Sequence, residues 1–148
     1  MINKGLAIAA VMLALGAPSW AKAPMQKGSP EALRVYAGAM KHTTVWLALI
    51  DQEKYGESWD AAATLFRGAT TRAGWEQAVG AARAPFGKLL SRKDKTSEYK
   101  TSLPGAPDGE YLVVQFETSF EKKKHAIETV TPMKEADGAW KVAGYFIK

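Results

Sequence analysis

Hydrophobic positions along the chain follow three regimes in turn. Gly5 to Ala17 is an uncharged, mostly apolar run behind Lys4, and Pro18 ends it. From Ser29 to Pro85 apolar residues recur at helical spacing, and beyond Pro85 they roughly alternate, as in strands. Ser29-Pro30-Glu31 offers a capping hydroxyl, a proline for the first helical position and an acid for the positive end of the helix dipole. The spacing of Leu33, Tyr36, Ala37, Met40, Thr44, Leu47 and Ile50 predicts a first helix with those residues on one buried face. Val45, Trp46 and Leu49 widen the apolar surface of its last turns, and Gly56 interrupts it. A second helix is expected from about Ser58, with Trp59, Ala62, Ala63 and Phe66 sharing a face up to Gly68. The third carries Trp75, Ala78, Val79 and Ala82 and stops before Pro85, since proline disfavours helix in the residue ahead of it.

Four strands follow. Gly87 to Ser102 reads as a long first strand bent near Arg92–Lys95, and Leu103 to Gly109 is a dense turn signal. Glu110 to Phe120 puts Leu112, Val114, Phe116 and Thr118 on one face and Tyr111, Val113, Gln115 and Glu117 on the other. After a charged turn from Glu121 to Lys124 come His125–Lys134, the hairpin dipeptide Asp137-Gly138, and Trp140–Ile147. Pro132 marks an edge or a bulge. Helices first and strands afterwards predict an α+β fold, three N-terminal helices packed on a four-stranded antiparallel sheet. Both faces of the second and last strands are apolar. One face would pack on the helices, and the other needs a partner subunit or a folded-over part of the sheet.

The opening apolar run spans thirteen residues. A membrane-crossing helix needs roughly 20. Together with Lys4 and the small residues of Ser19-Trp20-Ala21, this predicts a cleaved secretory signal over residues 1–21. The other cleavage candidate, Ala21-Lys22-Ala23, would leave Pro24 just after the cut. The expected organisation is signal peptide 1–21, flexible tether 22–28 and one domain over 29–148, periplasmic or secreted, with no integral membrane span in the mature protein.

Composition narrows the chemistry. With 47% hydrophobic and 24% charged residues, the chain is a globular protein rather than a disordered one. It has no cysteine, so disulfides, thiolate metal sites and cysteine nucleophiles are excluded, and two histidines are too few for a His-rich metal centre. Of the net charge of +5, much is concentrated in Arg83, Lys88, Arg92, Lys93, Lys95 and Lys100, against Asp94 and Glu98. Without interleaved aromatics this strip reads as a solvated strand face, and export argues against nucleic acid as a partner.

Neither G-x-G-x-x-G nor a P-loop motif occurs. Gly56-Glu57-Ser58-Trp59-Asp60 begins like a nucleophile elbow but has Asp60 where the closing glycine belongs, so Ser58 reads as a helix cap. His42 and His125 lie on different elements and read as hydrogen-bonded structural residues. No catalytic residue, metal ligand or cofactor is assigned. The acid–base candidates are Glu128, set between Ile127 and Val130, with Arg83 and Arg92. Such a set could orient a small polar ligand, act as a desolvated base with its electrophilic partner, or form a buried ion pair that fixes register. Trp46, Trp59, Trp75 and Trp140 are either a core of large rings or an aromatic cavity lining. The candidate pocket lining is therefore Trp59, Arg83, Arg92, Glu128 and Tyr145.

Several strings resemble the bacterial domain-of-unknown-function family 4019, in order and at suitable spacing. They are Tyr55-Gly56-Glu57-Ser58-Trp59-Asp60, Arg83-Ala84-Pro85-Phe86-Gly87 with Ser91-Arg92, Leu103 to Tyr111, Glu128-Thr129-Val130-Thr131, and Asp137 to Ile147. The resemblance implies a small exported bacterial protein and assigns no catalytic residue. More distantly, the element order is similar to the nuclear-transport-factor-2-like cone, which implies a curved, cone-like sheet. Together these readings lead to the expectation of a non-enzymatic small-ligand-binding or envelope-associated module. The alternatives are a small cone-fold enzyme of isomerase or dehydratase type and a domain that dimerises through its sheet without ligand.

Overall fold

The computed structural model describes residues 26–148. The expected signal peptide, its cleavage site at Ala21 and residues 22–25 of the expected tether lie outside the described residues. At the start of what is described, Ser29 donates its N–H to the Gln26 carbonyl at 3.0 Å, closing a turn before the first helix.

Helix α1 (Pro30–Asp51) begins as its sequence dictates, with the Ser29 hydroxyl accepting the Ala32 N–H at 3.1 Å. Its buried stripe is rotated from the expected one and consists of Ala39, Thr43, Trp46, Leu47 and Ile50. Leu33 and Val45 face solvent, at 59% and 61% exposure, and Ala37 and Thr44 are also exposed. The reason is tertiary. Trp46 outweighs the smaller apolar residues, and its indole N–H donates to the Ser58 carbonyl at 2.8 Å, which sets the rotation of the last turns. The Thr43 hydroxyl, though buried, donates to the Ala39 carbonyl of its own helix at 2.8 Å and so goes unpenalised.

The expected second helix is two. Helix α2 (Tyr55–Ala61) and helix α3 (Thr64–Ala69) are separated by Ala62 and Ala63, both extended and fully buried. The interruption has a clear cause: the Ala63 N–H donates to the Val142 carbonyl at 2.8 Å, so the backbone itself packs on a strand edge that any larger side chain would hold away. Ser58 is not a cap. It sits inside α2, fully buried, its hydroxyl donating to the Tyr55 carbonyl at 2.6 Å. Helix α4 (Arg72–Arg83) is capped by Thr71, and a short 3-10 turn (Ala84–Phe86) carries Pro85.

Strands β1 (Leu89–Lys100), β2 (Tyr111–Phe120), β3 (Lys123–Lys134) and β4 (Trp140–Ile147) form one antiparallel meander in sequence order. The expected bend in β1 is a register shift between Asp94 and Thr96, with a second between Leu89 and Ser91. Between Thr131 and Pro132 the register with β4 shifts, so Pro132 marks a bulge, while β3 itself is paired on both sides. The β2–β3 connection is tighter than expected, a turn at Glu121-Lys122. As the alternation predicts, Leu112, Val114, Phe116 and Thr118 are buried beneath the helices and Glu117 is exposed. Tyr111, on the opposite face, is nevertheless fully buried, its hydroxyl donating to the Pro107 carbonyl of the β1–β2 loop at 2.6 Å. Helix α1 lies chiefly on β4 and β3, and α3 on β4. Among the described residues no helix is long and apolar enough to cross a membrane.

Candidate functional site

Four elements converge at one end of the space between helices and sheet, and each delivers one charge. Asp51 is the last residue of α1, Arg83 the last of α4, Arg92 lies on β1 opposite Thr118, and Glu128 lies on β3 opposite Phe116. Arg92 holds both carboxylates. Its Nε donates to Glu128 Oε1 at 2.8 Å, and its Nη1 and Nη2 donate to the two oxygens of Asp51 at 2.8 and 2.9 Å. That fork-to-fork pairing is the strongest geometry an arginine and a carboxylate can adopt. Arg83 donates from Nη2 to Asp51 Oδ1 at 3.1 Å, and its Nη1 lies 3.9 Å from Glu128 Oε2. The Thr118 hydroxyl donates to Glu128 Oε1 at 2.7 Å and the Tyr145 hydroxyl to Oε2 at 2.5 Å.

The cluster balances two cations against two anions in a nearly dry place. Glu128 is fully buried, and the Arg83, Arg92 and Asp51 side chains are only 7%, 15% and 16% exposed. Burial alone would lower the pKa of both guanidiniums, but it is outweighed in each. Asp51 and Glu128 hold Arg92 above the ordinary arginine value, and Tyr145, Glu128 and Asp51 do the same for Arg83. Burial, then the Glu128 charge, pushes the Tyr145 hydroxyl well above its usual value, so it stays a donor. Arg83 also stacks its guanidinium 4.7 Å from the centre of the Phe120 ring, and its Nε is buried without a hydrogen-bond partner.

Beside the charges lies a cluster of rings. Trp46 packs against Trp75, Phe66 and Tyr145 with centroids 6.0, 6.3 and 5.5 Å apart, and Phe66 meets Trp75 edge-on at 4.8 Å. The Trp75 indole N–H donates to the Ser58 hydroxyl at 2.9 Å, so Ser58 serves both buried tryptophans.

Of the five candidate pocket residues, the fold brings Arg83, Arg92, Glu128 and Tyr145 into one hydrogen-bonded group. Trp59 stands apart, half-buried, donating to the Thr70 carbonyl at 2.9 Å beneath the Arg67 guanidinium. Trp140 lies against Gly38 of α1, where an added Cβ would come within 3.1 Å of the indole. Sequence reasoning missed Asp51 and the hydroxyl role of Thr118. Asp51 did carry a signal: an acid closing a helix opposes the dipole and needs a cation to explain it. The expected solvated strip is divided, since Arg83 and Arg92 turn inward while Lys95 and Lys100 pair with Glu117 and Glu98. His42, half-buried, has its pKa lowered by burial and then by Lys141, and His125 is exposed on β3. Among the described residues no three His, Asp or Glu side chains are grouped so as to hold a metal ion.

The arrangement limits its own chemistry. Glu128 Oε1 already accepts from Arg92 and Thr118, Oε2 accepts from Tyr145, and the residue has no exposed surface through which a proton or substrate could arrive. Both arginines are committed to carboxylates. Of the two readings of the tryptophans, Trp46 and Trp75 fit the core of large rings, in mutual contact with Phe66 and Tyr145.

Residues 42–145 match the family described as protein of unknown function (DUF4019). The chain belongs to that family. Asp51, Arg83, Arg92, Thr118, Glu128 and Tyr145 all fall inside the matched segment, so the ionic cluster is built wholly from the DUF4019 region. No curated protein and no solved structure matches the chain.

Proposed function

We propose that this DUF4019 protein is a non-enzymatic, exported, envelope-associated module that acts through its surface. The observation that carries this reading is the closure of the ionic cluster. The hydrogen-bonding capacity of its carboxylates is used by donors of the same chain, and the adjoining space is packed with rings. A group that is to orient a ligand or move a proton needs an unengaged donor or acceptor facing open space. In this reading the cluster has a positioning role, locking the ends of α1 and α4 onto β1 and β3. The leader-like run before Pro18 supports export.

Native mass spectrometry of protein recovered from the periplasm of an expressing bacterium, set beside its denatured mass, tests the reading. The expected result is a chain starting at Lys22 with no adduct. A reproducible non-covalent adduct would replace the reading with ligand binding, and a mass retaining Met1 would remove the export.

A further inference from the structure

Three of the thirteen described lysines are ion-paired and ten are not, and four of those ten meet at one place. Lys95, Lys100 and Lys134 each form an ion pair, with Glu117, Glu98 and Glu110. Lys88, Lys122, Lys123 and Lys124 form none with any described carboxylate, and all four are exposed. The fold gathers these four at one tip. The Lys122 N–H donates to the Phe86 carbonyl and the Glu121 N–H to the Lys88 carbonyl, both at 2.9 Å, which clamps the β2–β3 turn to the start of β1. Glu121, the acidic residue of that turn, accepts the Lys88 N–H at 3.3 Å and is itself exposed, so it offsets one of the four lysine charges. Lys123 lies with its ammonium 5.6 Å from the Phe86 ring centre.

An apolar side chain stands beside these charges. Leu90 falls in the register shift between Leu89 and Ser91 of the edge strand, and the bulge leaves it 54% exposed. Leu90 lies on the edge strand two residues from Lys88, and the four ammonium groups of this tip together with the exposed leucine call for an anionic counterpart that also offers hydrocarbon. Neither a soluble polyanion nor a purely apolar partner satisfies both.

We propose that the tip formed by Lys88, Leu90, Lys122, Lys123 and Lys124 docks the protein on an anionic phospholipid surface, the lysines at the headgroups and Leu90 at the acyl boundary. This rests on the reading of the protein as a surface-acting module. Each lysine at such a surface adds about fivefold to partitioning, an effect screened by salt.

Co-sedimentation of the purified protein with vesicles of equimolar phosphatidylglycerol and phosphatidylcholine tests the proposal, with pure phosphatidylcholine vesicles as the control. Binding only to the anionic vesicles is expected, weakened about 25-fold when Lys122→Gln and Lys124→Gln are combined. Leu90→Ser should weaken it several-fold, and an unchanged melting midpoint in each variant shows that the fold is intact. Absence of binding at low salt, or equal binding by the variants, overturns the proposal. So does lysine-dependent binding to heparin without binding to vesicles, which would identify a soluble polyanion as the partner. A negative vesicle result with a bare native mass leaves the surface-module reading standing, whereas a co-purifying small molecule defeats that reading whatever the vesicles do.

Discussion

The space beneath the helices has two halves, and they are filled on opposite principles. One holds Trp46, Phe66, Trp75 and the ring of Tyr145, bound by area and ring contact. The other holds Asp51, Arg83, Arg92 and Glu128, bound by matched charge. Tyr145 belongs to both, its ring to Trp46 and its hydroxyl to Glu128. The apolar half contributes stability in proportion to what it buries, and any part of it can be removed for a proportionate loss. The ionic half is worth little in sum, because desolvation offsets attraction, yet it is costly to break in part. Its value is positional: one placement of four elements supplies both carboxylates with donors, even at the cost of leaving the Arg83 Nε unpartnered.

Substitutions can break this contrast, beginning with the ring cluster. Trp75→Ala should lose about 4 kcal/mol in urea-induced unfolding, from the lost ring contacts and the unoccupied volume. A cost below about 1 kcal/mol would show that the rings are not tightly packed. In the ionic half, Arg92→Met alone should cost about 3 kcal/mol, since it leaves a buried carboxylate uncompensated. Combining it with Glu128→Leu removes one charge of each sign and leaves Arg83 paired with Asp51. The double variant should therefore be more stable than the single one, and additive losses would contradict the account of the cluster as a balanced unit.

The smallest effect lies at the shared residue. Tyr145→Phe keeps the ring and loses the bond to Glu128, for about 2 kcal/mol at neutral pH. It also changes the alkaline limb. Folding raises the pKa of Tyr145 well above the unfolded value of 10.0, chiefly by burial and then by Glu128. Tyr99 is pushed up to about 12, chiefly by burial and then by Glu110. Below pH 10 both tyrosines are neutral, folded or unfolded, and their contribution is whole. As pH rises further the unfolded chain ionises first and stability falls. Melting between pH 8 and pH 12 should show that fall in the parent chain, with a shallower slope in Tyr145→Phe.

Much of the fold was legible because local chemistry and tertiary demand agree. Ser29-Pro30 starts α1, Pro85 follows the end of α4, Asp137-Gly138 turns β3 into β4, and the alternation of β2 holds from Leu112 onward. Where they disagree, the pattern misleads. The face of α1 was drawn through Leu33, yet one indole bonded to Ser58 turns it away, and Ala62-Ala63 read as helix until β4 is there to take the Ala63 N–H. The charged half was half legible. An arginine within an otherwise solvated strand and a glutamate between aliphatics mark themselves as partners, whereas Asp51 meets them from a helix end forty-one residues before Arg92 along the chain. No periodicity links such positions. Trp59 looked equivalent to Trp46 and Trp75 in composition, but α2 ends at Ala61 and turns it to the margin.

The packing of α1 on β4 also sets an order of events in time. A chain that leaves a ribosome or a translocon by its amino end exposes the helices first and the last strand last. Until residues 140–147 arrive, Trp46 has no Tyr145 to meet and the Ala63 N–H has no Val142 carbonyl. The strands can zip hairpin by hairpin, each with its sequence neighbour, but the helical layer must wait. The nascent protein thus holds Trp46, Phe66 and Trp75 with only one another for cover until the last strand, β4, arrives to complete the layer.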